Sequence, residues 1–221
     1  MDWQATLISL KIALLATVLN LPMGIAVGWL LTRMRGWWRH SLTALVMLPL
    51  VLPPVVSGFF LLYLFSPAYW IGSTLDALNI PVVFHLNGAV LASAVVSFPL
   101  IVRSVLNGLE NLDVRYLEAA EAAGVSRREA FFRIVLPLVS PSLMVGSVLV
   151  FARSFGEFGA TMVLAGNIPG KTQSLPLAIY TAIQSPNGWQ RAWLLVGLAC
   201  LISVSAIILS ERLWKRPHAS A

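Results

Sequence analysis

The chain has little of what chemistry in water requires. Only 11% of its 221 residues are charged, whereas 58% are hydrophobic. A soluble domain carries about a quarter of its residues as charges. The mean hydropathy of +0.82 excludes one or two soluble domains and describes a polytopic membrane protein. There is one cysteine, Cys200, so no intrachain disulfide can form. It sits within an apolar run and is expected to be a small core residue. The three histidines, His40, His85 and His218, are far apart and flank different segments, so no zinc site is expected. No paired-histidine zinc motif lies on a span, there is no Gly-x-Ser-x-Gly turn, and Ser154 near Glu157 lacks a histidine partner. Hence no catalytic residue and no metal ligand is expected. Acidic residues number nine against fifteen basic ones, a net charge of +6. That excess does not point to nucleic acid, because the basic residues cluster in short loops and no aromatic, basic binding face accompanies them.

What the chain has in abundance is apolar runs. Five are long enough to cross a bilayer, at about residues 12–31, 42–65, 88–106, 134–152 and 192–209. The first is expected to be a span and not a cleavable signal peptide, since Asp2 replaces the usual positive start and no small-residue cleavage site follows. Gly24 and Gly28 on it form a small-xxx-small pair suited to a close helix contact. Arg33, Arg35 and Arg39, beside Trp37 and Trp38, make a short basic loop that should face the cytoplasm. The N-terminus then lies outside, and Arg212, Lys215 and Arg216 hold the C-terminus inside. In this scheme eleven of the fifteen basic residues are cytoplasmic, Arg153, Lys171 and Arg191 are external, and Lys11 is at the outer edge. The second span is interrupted by Pro49, Pro53, Pro54 and Gly58. So many prolines leave carbonyls without helical partners, tolerable only where protein or a wet cavity surrounds the break. The region 153–191 is too punctuated to span and is expected to be external and partly re-entrant. Arg153 and Glu157 on it are spaced for an ion pair along a helix, at the outer boundary or on a pathway.

The only long polar, helix-forming stretch is 117–137, LEAAEAAGVSRREAFFRIVLP, which starts in a loop at about 110–133 between the third and fourth spans and runs on into the fourth. Asp113 can cap its start, with Leu112 and Leu117 placed as a hydrophobic staple. Gly124 falls where a helix ends in a left-handed turn, and Ser126 with Glu129 has capping-box spacing for a second helix. A short exposed helix, a tight corner and a rising membrane helix follow from these signals. Glu118-Ala119-Ala120, Gly124, Ile134 and Leu136-Pro137 match in full the EAA signature, and the chain is identified by it as resembling the permease subunits of bacterial ABC importers. That resemblance implies an all-α membrane fold of the type I importer class, with five transmembrane helices and a cytoplasmic coupling helix that sits in a cleft of a separate ATPase subunit.

The stretch 165–172, AGNIPGKT, fits a relaxed phosphate-loop pattern. Pro169 removes an amide that should face phosphate, and no strand precedes the loop, so ATP is not expected to bind here. Two further runs, LPLVLPPVVSGF at 48–59 and FARSFGEFGATMVLAGNIPGKTQSLPLAIY at 151–180, are similar to molybdate-importer permeases, with tungstate, sulfate and thiosulfate permeases as near relatives. This likeness implies an ATP-driven importer of molybdate or a related oxyanion in the bacterial inner membrane. It implies a homodimer of permeases, two cytoplasmic ATP-binding subunits that hold ATP–Mg, a periplasmic or lipid-anchored oxyanion-binding protein, and no cofactor on this chain. Glu118, Ala119, Ala120, Gly124, Ile134, Leu136 and Pro137 would couple to the ATPase. Pro49, Pro53, Pro54, Arg153, Ser154, Glu157, Gly159 and Thr161 would shape the pathway and gate. An intramembrane enzyme and a stand-alone channel are the rival classes; a channel would need no coupling segment.

Overall fold

The computed structural model describes residues 2–214, with side-chain surroundings for 3–208. Lys215, Arg216 and His218 lie outside the described residues, as does the side chain of Arg212. The described chain is helical: α1 Asp2–Arg33, α2 Trp37–Val51, α3 Pro54–Phe65, α4 Trp70–Ala77, α5 Leu86–Glu110, α6 Arg115–Ala122, α7 Arg127–Ala130, α8 Leu136–Phe155, α9 Gly159–Leu164, α10 Leu175–Gln184 and α11 Trp189–Trp214. A π-turn, Phe131–Val135, joins α7 to α8, so the two continue as one span of 29 residues.

Helix α5 is the axis of the bundle. Of its apolar window 72% is buried, against 28% for α1, 22% for the α7–α8 span and 11% for α11. Small residues let α1 approach it. A Cβ on Gly24 would lie 2.6 Å from Ile101 and one on Gly28 would lie 2.4 Å from Val105, so this glycine pair is where α1 and α5 nearly touch. The same holds between α5 and α8, where Gly108 meets Ser142 and Gly146 meets Ser104. Cys200 is exposed on α11 and is not a core residue. The apolar run around it faces outward because α11 packs on the bundle by one edge, through Ala192 and Leu195.

The second span differs from the expected kinked helix. α2 and α3 are bent by 110° at residues 52–53. Leu52 precedes Pro53 and Pro53 precedes Pro54, and a residue before proline is driven out of the helical region. Both accordingly adopt extended backbone, at φ −67°, ψ 142° and φ −52°, ψ 132°. Two successive pre-proline residues thus convert a kink into a corner.

The two ends of the bundle separate by chemistry. At one end Arg39 pairs with Glu110 at 2.6 Å, and Arg33 stacks over Trp29, whose ring packs 4.7 Å from Phe131. At the other end Gln4 lies against Gly170, and the Phe84 amide donates to the Leu164 carbonyl at 3.0 Å. Helix α1 joins the ends over about 48 Å, the length of its 32 residues. The basic loop and the polar 115–130 segment therefore share one end, and the N-terminus shares the other with the loop holding Lys171.

Within the region 153–191, α9 and α10 pack into the bundle, while Lys171 stays exposed at the end shared with the N-terminus. Thr172, Leu175 and Leu177 are fully buried, and α10 packs with Ala5 and Ala13 of α1 and Leu195 of α11. The Leu175 amide, left over at the start of α10, donates to Ser9 Oγ of α1 at 2.7 Å.

Candidate functional site

The first candidate site is the polar corner at the basic end. Asp113 caps α6, its Oδ1 accepting from the Arg115 amide at 3.0 Å. The Arg115 guanidinium also grips this carboxylate, at 2.6 Å, and holds its pKa below the usual carboxylate range. At the far end Gly124 takes φ +74°. The Val125 amide donates to the Ala120 carbonyl and the Gly124 amide to that of Glu121, both at 3.0 Å, which completes a Schellman ending. The Ser126 side chain then accepts from the Glu129 amide at 3.3 Å, and Glu129 pairs with Arg133 at 3.1 Å. Every bond that shapes this corner is local in sequence.

Helix α6 is amphipathic toward the bundle. Ala120 is buried, and with Leu117, Glu121 and Val125 it faces a cleft of about 460 Å³ against Trp29, Thr32 and Arg33 of α1. Val114, Tyr116, Glu118, Ala119, Ala122 and Ala123 are exposed on the other side, and no Cβ at Gly124 would meet anything within 4 Å. Below the corner Ile134 and Leu136 are half-buried and Pro137 is exposed. Pro137 has no N–H to give to the Arg133 carbonyl, and its ring crowds that oxygen. The backbone responds by widening into the π-turn, in which the Leu136 amide reaches five residues back to the Phe131 carbonyl.

The second candidate site lies at mid-height. Ser97, the middle of α5, accepts from Asn20 Nδ2 of α1 at 3.0 Å and from Ser154 Oγ of α8 at 3.1 Å. Arg153 and Glu157 are therefore near the middle of the bundle, not at its outer boundary, and the external placement of Arg153 is corrected. The difference has a physical source: α8 stops midway and α9 continues upward to Leu164, beside Phe84. Glu157 is the hinge between them. Its side chain is 1% exposed; one oxygen accepts from Arg153 at 2.5 Å and the other from the Ala160 amide at 2.8 Å, which caps α9. Thr161 turns its hydroxyl back to the Phe158 carbonyl at 2.9 Å.

The two interrupted spans meet here. A Cβ on Gly159 would lie 3.0 Å from Pro54, and one on Gly58 would lie 2.8 Å from the Ala160 Cα. Pro53, Pro54, Arg153, Ser154, Glu157, Gly159 and Thr161 thus share one region, while Pro49 lies a turn earlier in α2. Gly58 is expected from the sequence as an interruption of the second span but not as a contact with α9, and the linking of Asn20, Ser97 and Ser154 is not foreseen. Asn20 is the one amide side chain in the first apolar run, and Ser93 and Ser97 are one turn apart, so polar groups at intramembrane helix spacing were the signal.

The loop resembling a phosphate cradle is closed on itself. The amides of Lys171, Thr172 and Gln173 all donate to the Ile168 carbonyl, and the buried Thr172 hydroxyl bridges the Ile168 amide and the Gly166 carbonyl. None of these groups points at a ligand.

Both sites belong to a bundle in which four helices, or five with the bent pair α2–α3 taken as one span, are long and apolar enough to cross a membrane, the architecture of a multi-pass membrane protein. Residues 20–217 match the family described as binding-protein-dependent transport system inner membrane component, and the chain belongs to it. Members of that family are multi-pass membrane permeases, not enzymes, and act with ATP-hydrolysing and substrate-binding partner chains. The chain is 45% identical to the molybdenum transport system permease protein ModB of Escherichia coli K12, over 95% of this chain and 92% of that one. It is 42% identical to ModB of Haemophilus influenzae, over 98% and 95%. The sulfate transport system permease protein CysT of Escherichia coli K12 is 37% identical, over 97% and 77%. Among solved structures, the inward-facing MetNI methionine ABC transporter superposes with a TM-score of 0.73 at 16% identity, over 97% and 93% of the two chains. A bacterial ABC importer of alginate gives 0.72 at 15%, over 97% and 79%. These two establish the fold, that of type I importer permeases.

Proposed function

We propose that this chain is the permease subunit of an ATP-driven molybdate importer in the bacterial inner membrane. The observation that carries the reading is the exposed, doubly capped α6, with Glu118 and Ala119 on its free face, in a chain so similar to molybdenum permeases. Two copies enclose one pathway, two cytoplasmic ATPase subunits hold ATP–Mg, and a periplasmic or lipid-anchored binding protein delivers the anion. No cofactor resides on this chain. Glu118, Ala119, Ala120 and Gly124 form the coupling peg, and Ile134, Leu136 and Pro137 form the flexible root that passes its movement to α8. The meeting of the two broken spans, at Pro53, Pro54, Arg153, Ser154, Glu157, Gly159 and Thr161, with Pro49 below it, shapes the pathway and gate. The likeness to a sulfate permease favours a second reading within the same class, a carrier of sulfate, thiosulfate or tungstate. Competition uptake in cells carrying the whole system separates them. Molybdate should compete at the lowest concentration; competition by sulfate alone would reject the molybdate assignment.

A further inference from the structure

At the basic end a pocket of about 500 Å³ opens between the first turns of α2 and the last turns of α5. Arg39, His40 and Arg103 line it, with Glu110 as the single acid, and Ala44, Met47 and Leu106 form its apolar wall. Glu110 is already occupied by Arg39, at 2.6 Å. Arg103 is exposed, and among the described residues nothing pairs with it. An unpaired arginine two turns inside an apolar span is costly and marks a function.

Three features identify what it meets. The pocket sets Arg39, His40 and Glu110 at the basic end and Arg103 two turns deeper, with Thr43, Ala44, Met47 and Leu106 between and beside them, so cationic groups and hydrocarbon surface lie side by side, as a phospholipid headgroup and the start of its chains require. Trp37 and Trp38, 72% and 69% exposed, immediately precede Arg39 at the start of α2, where indole rings suit the headgroup layer. Helix α2 has no buried residue of its own, and Leu45 and Leu48 are exposed, so apolar surface continues beside the pocket.

We propose that this pocket binds the headgroup of an anionic phospholipid of the cytoplasmic leaflet. The Arg103 guanidinium takes the phosphodiester in a bidentate grip, the paired Arg39 and His40 border it, and the bound lipid ties α2 to α5 just below the corner at residues 52–53. The inference rests on the inner placement of this end, which external cysteine labelling tests separately: a cysteine at Lys171 should be labelled and one at Arg127 should not.

The test is native mass spectrometry of the purified full-length chain in neutral detergent, titrated with phosphatidylglycerol or phosphatidylcholine. Phosphatidylglycerol should be retained about tenfold more tightly, the worth of one charge-assisted contact. Arg103→Gln should abolish that preference and Arg103→Lys keep part of it, while phosphatidylcholine binding stays the same in both. Inorganic phosphate or molybdate should not displace the lipid. Equal retention of the two lipids by the unmodified chain, or an unchanged preference in Arg103→Gln, overturns the proposal. Displacement by molybdate would assign the pocket to the ion's route instead. Loss of dimer in Arg103→Gln without loss of lipid would assign it to a second copy of the chain. None of these readouts depends on which oxyanion is carried.

Discussion

The corner at residues 113–129 and the break at mid-height solve opposite problems. The corner is exposed and held by bonds spanning two to five residues, such as Asp113 to Arg115 and Val125 to Ala120. It keeps its shape alone and leaves Glu118 and Ala119 free for another surface. The break is buried and held across the whole chain, Asn20 and Ser154 to Ser97, Pro54 to Gly159. Asn20, Ser97, Ser154 and Glu157 find their partners within the protein, where no water can replace a lost one, while the buried hydroxyls of Ser57 and Ser93 have none among the described residues. A part that receives force needs local rigidity and an open face. A part that opens and closes needs contacts between separate helices that can slide.

This contrast can be broken by substitutions on each side. The largest effect is expected at mid-height. Glu157→Ala strands Arg153 and uncaps α9, a loss of about 3–5 kcal/mol for breaking a buried pair. Unfolding of the full chain in detergent should register it, and a stability within about 0.5 kcal/mol of the unmodified chain would refute the hinge role of Glu157. Gly58→Val comes next. Its Cβ would press on the backbone of Ala160, which cannot yield as a side-chain tip can, so about 1–3 kcal/mol is expected, with α3 and α9 forced apart. An unchanged melting temperature would mean that the two helices are not tightly apposed.

Gly124→Val sharpens the comparison because the added atoms meet nothing. Its effect is conformational, about 1–2 kcal/mol for a side chain in the left-handed region, and stays within the corner. Membrane insertion should survive while ATP-driven uptake falls several-fold, measured beside ATP hydrolysis in the assembled transporter. Normal uptake would remove Gly124 from the coupling path. The smallest effect is one of pH. The Asp113 pKa is lowered by Arg115, so the pair stabilises the corner above the ordinary carboxylate value and is lost as pH falls below about 4, through the lowered value. Hydrogen exchange at the Arg115 and Tyr116 amides should quicken there, and Asp113→Asn should show no such step. The same step in Asp113→Asn would assign it to another group.

The same contrast explains what could be foreseen. The corner was legible because capping, the glycine turn and the motif spacing all act within a few residues. The proline break was legible as an interruption, but its 110° angle depends on two successive pre-proline residues both staying extended. The height of Arg153 was not legible, since it is set by which residue of α5 faces Ser154, a pairing across 57 positions. Cys200 was misplaced for a related reason: apolar character in a membrane helix does not distinguish a packed face from one turned to lipid.

The most direct measurement of the coupling claim is cross-linking from Ala119→Cys, in a chain whose Cys200 is replaced by serine, within the assembled transporter. The cysteine should cross-link to the ATPase subunit, the cross-link should stop uptake, and a membrane-impermeant reagent added outside whole cells should not label it. Labelling from outside, or uptake undisturbed by a completed cross-link, would contradict the account.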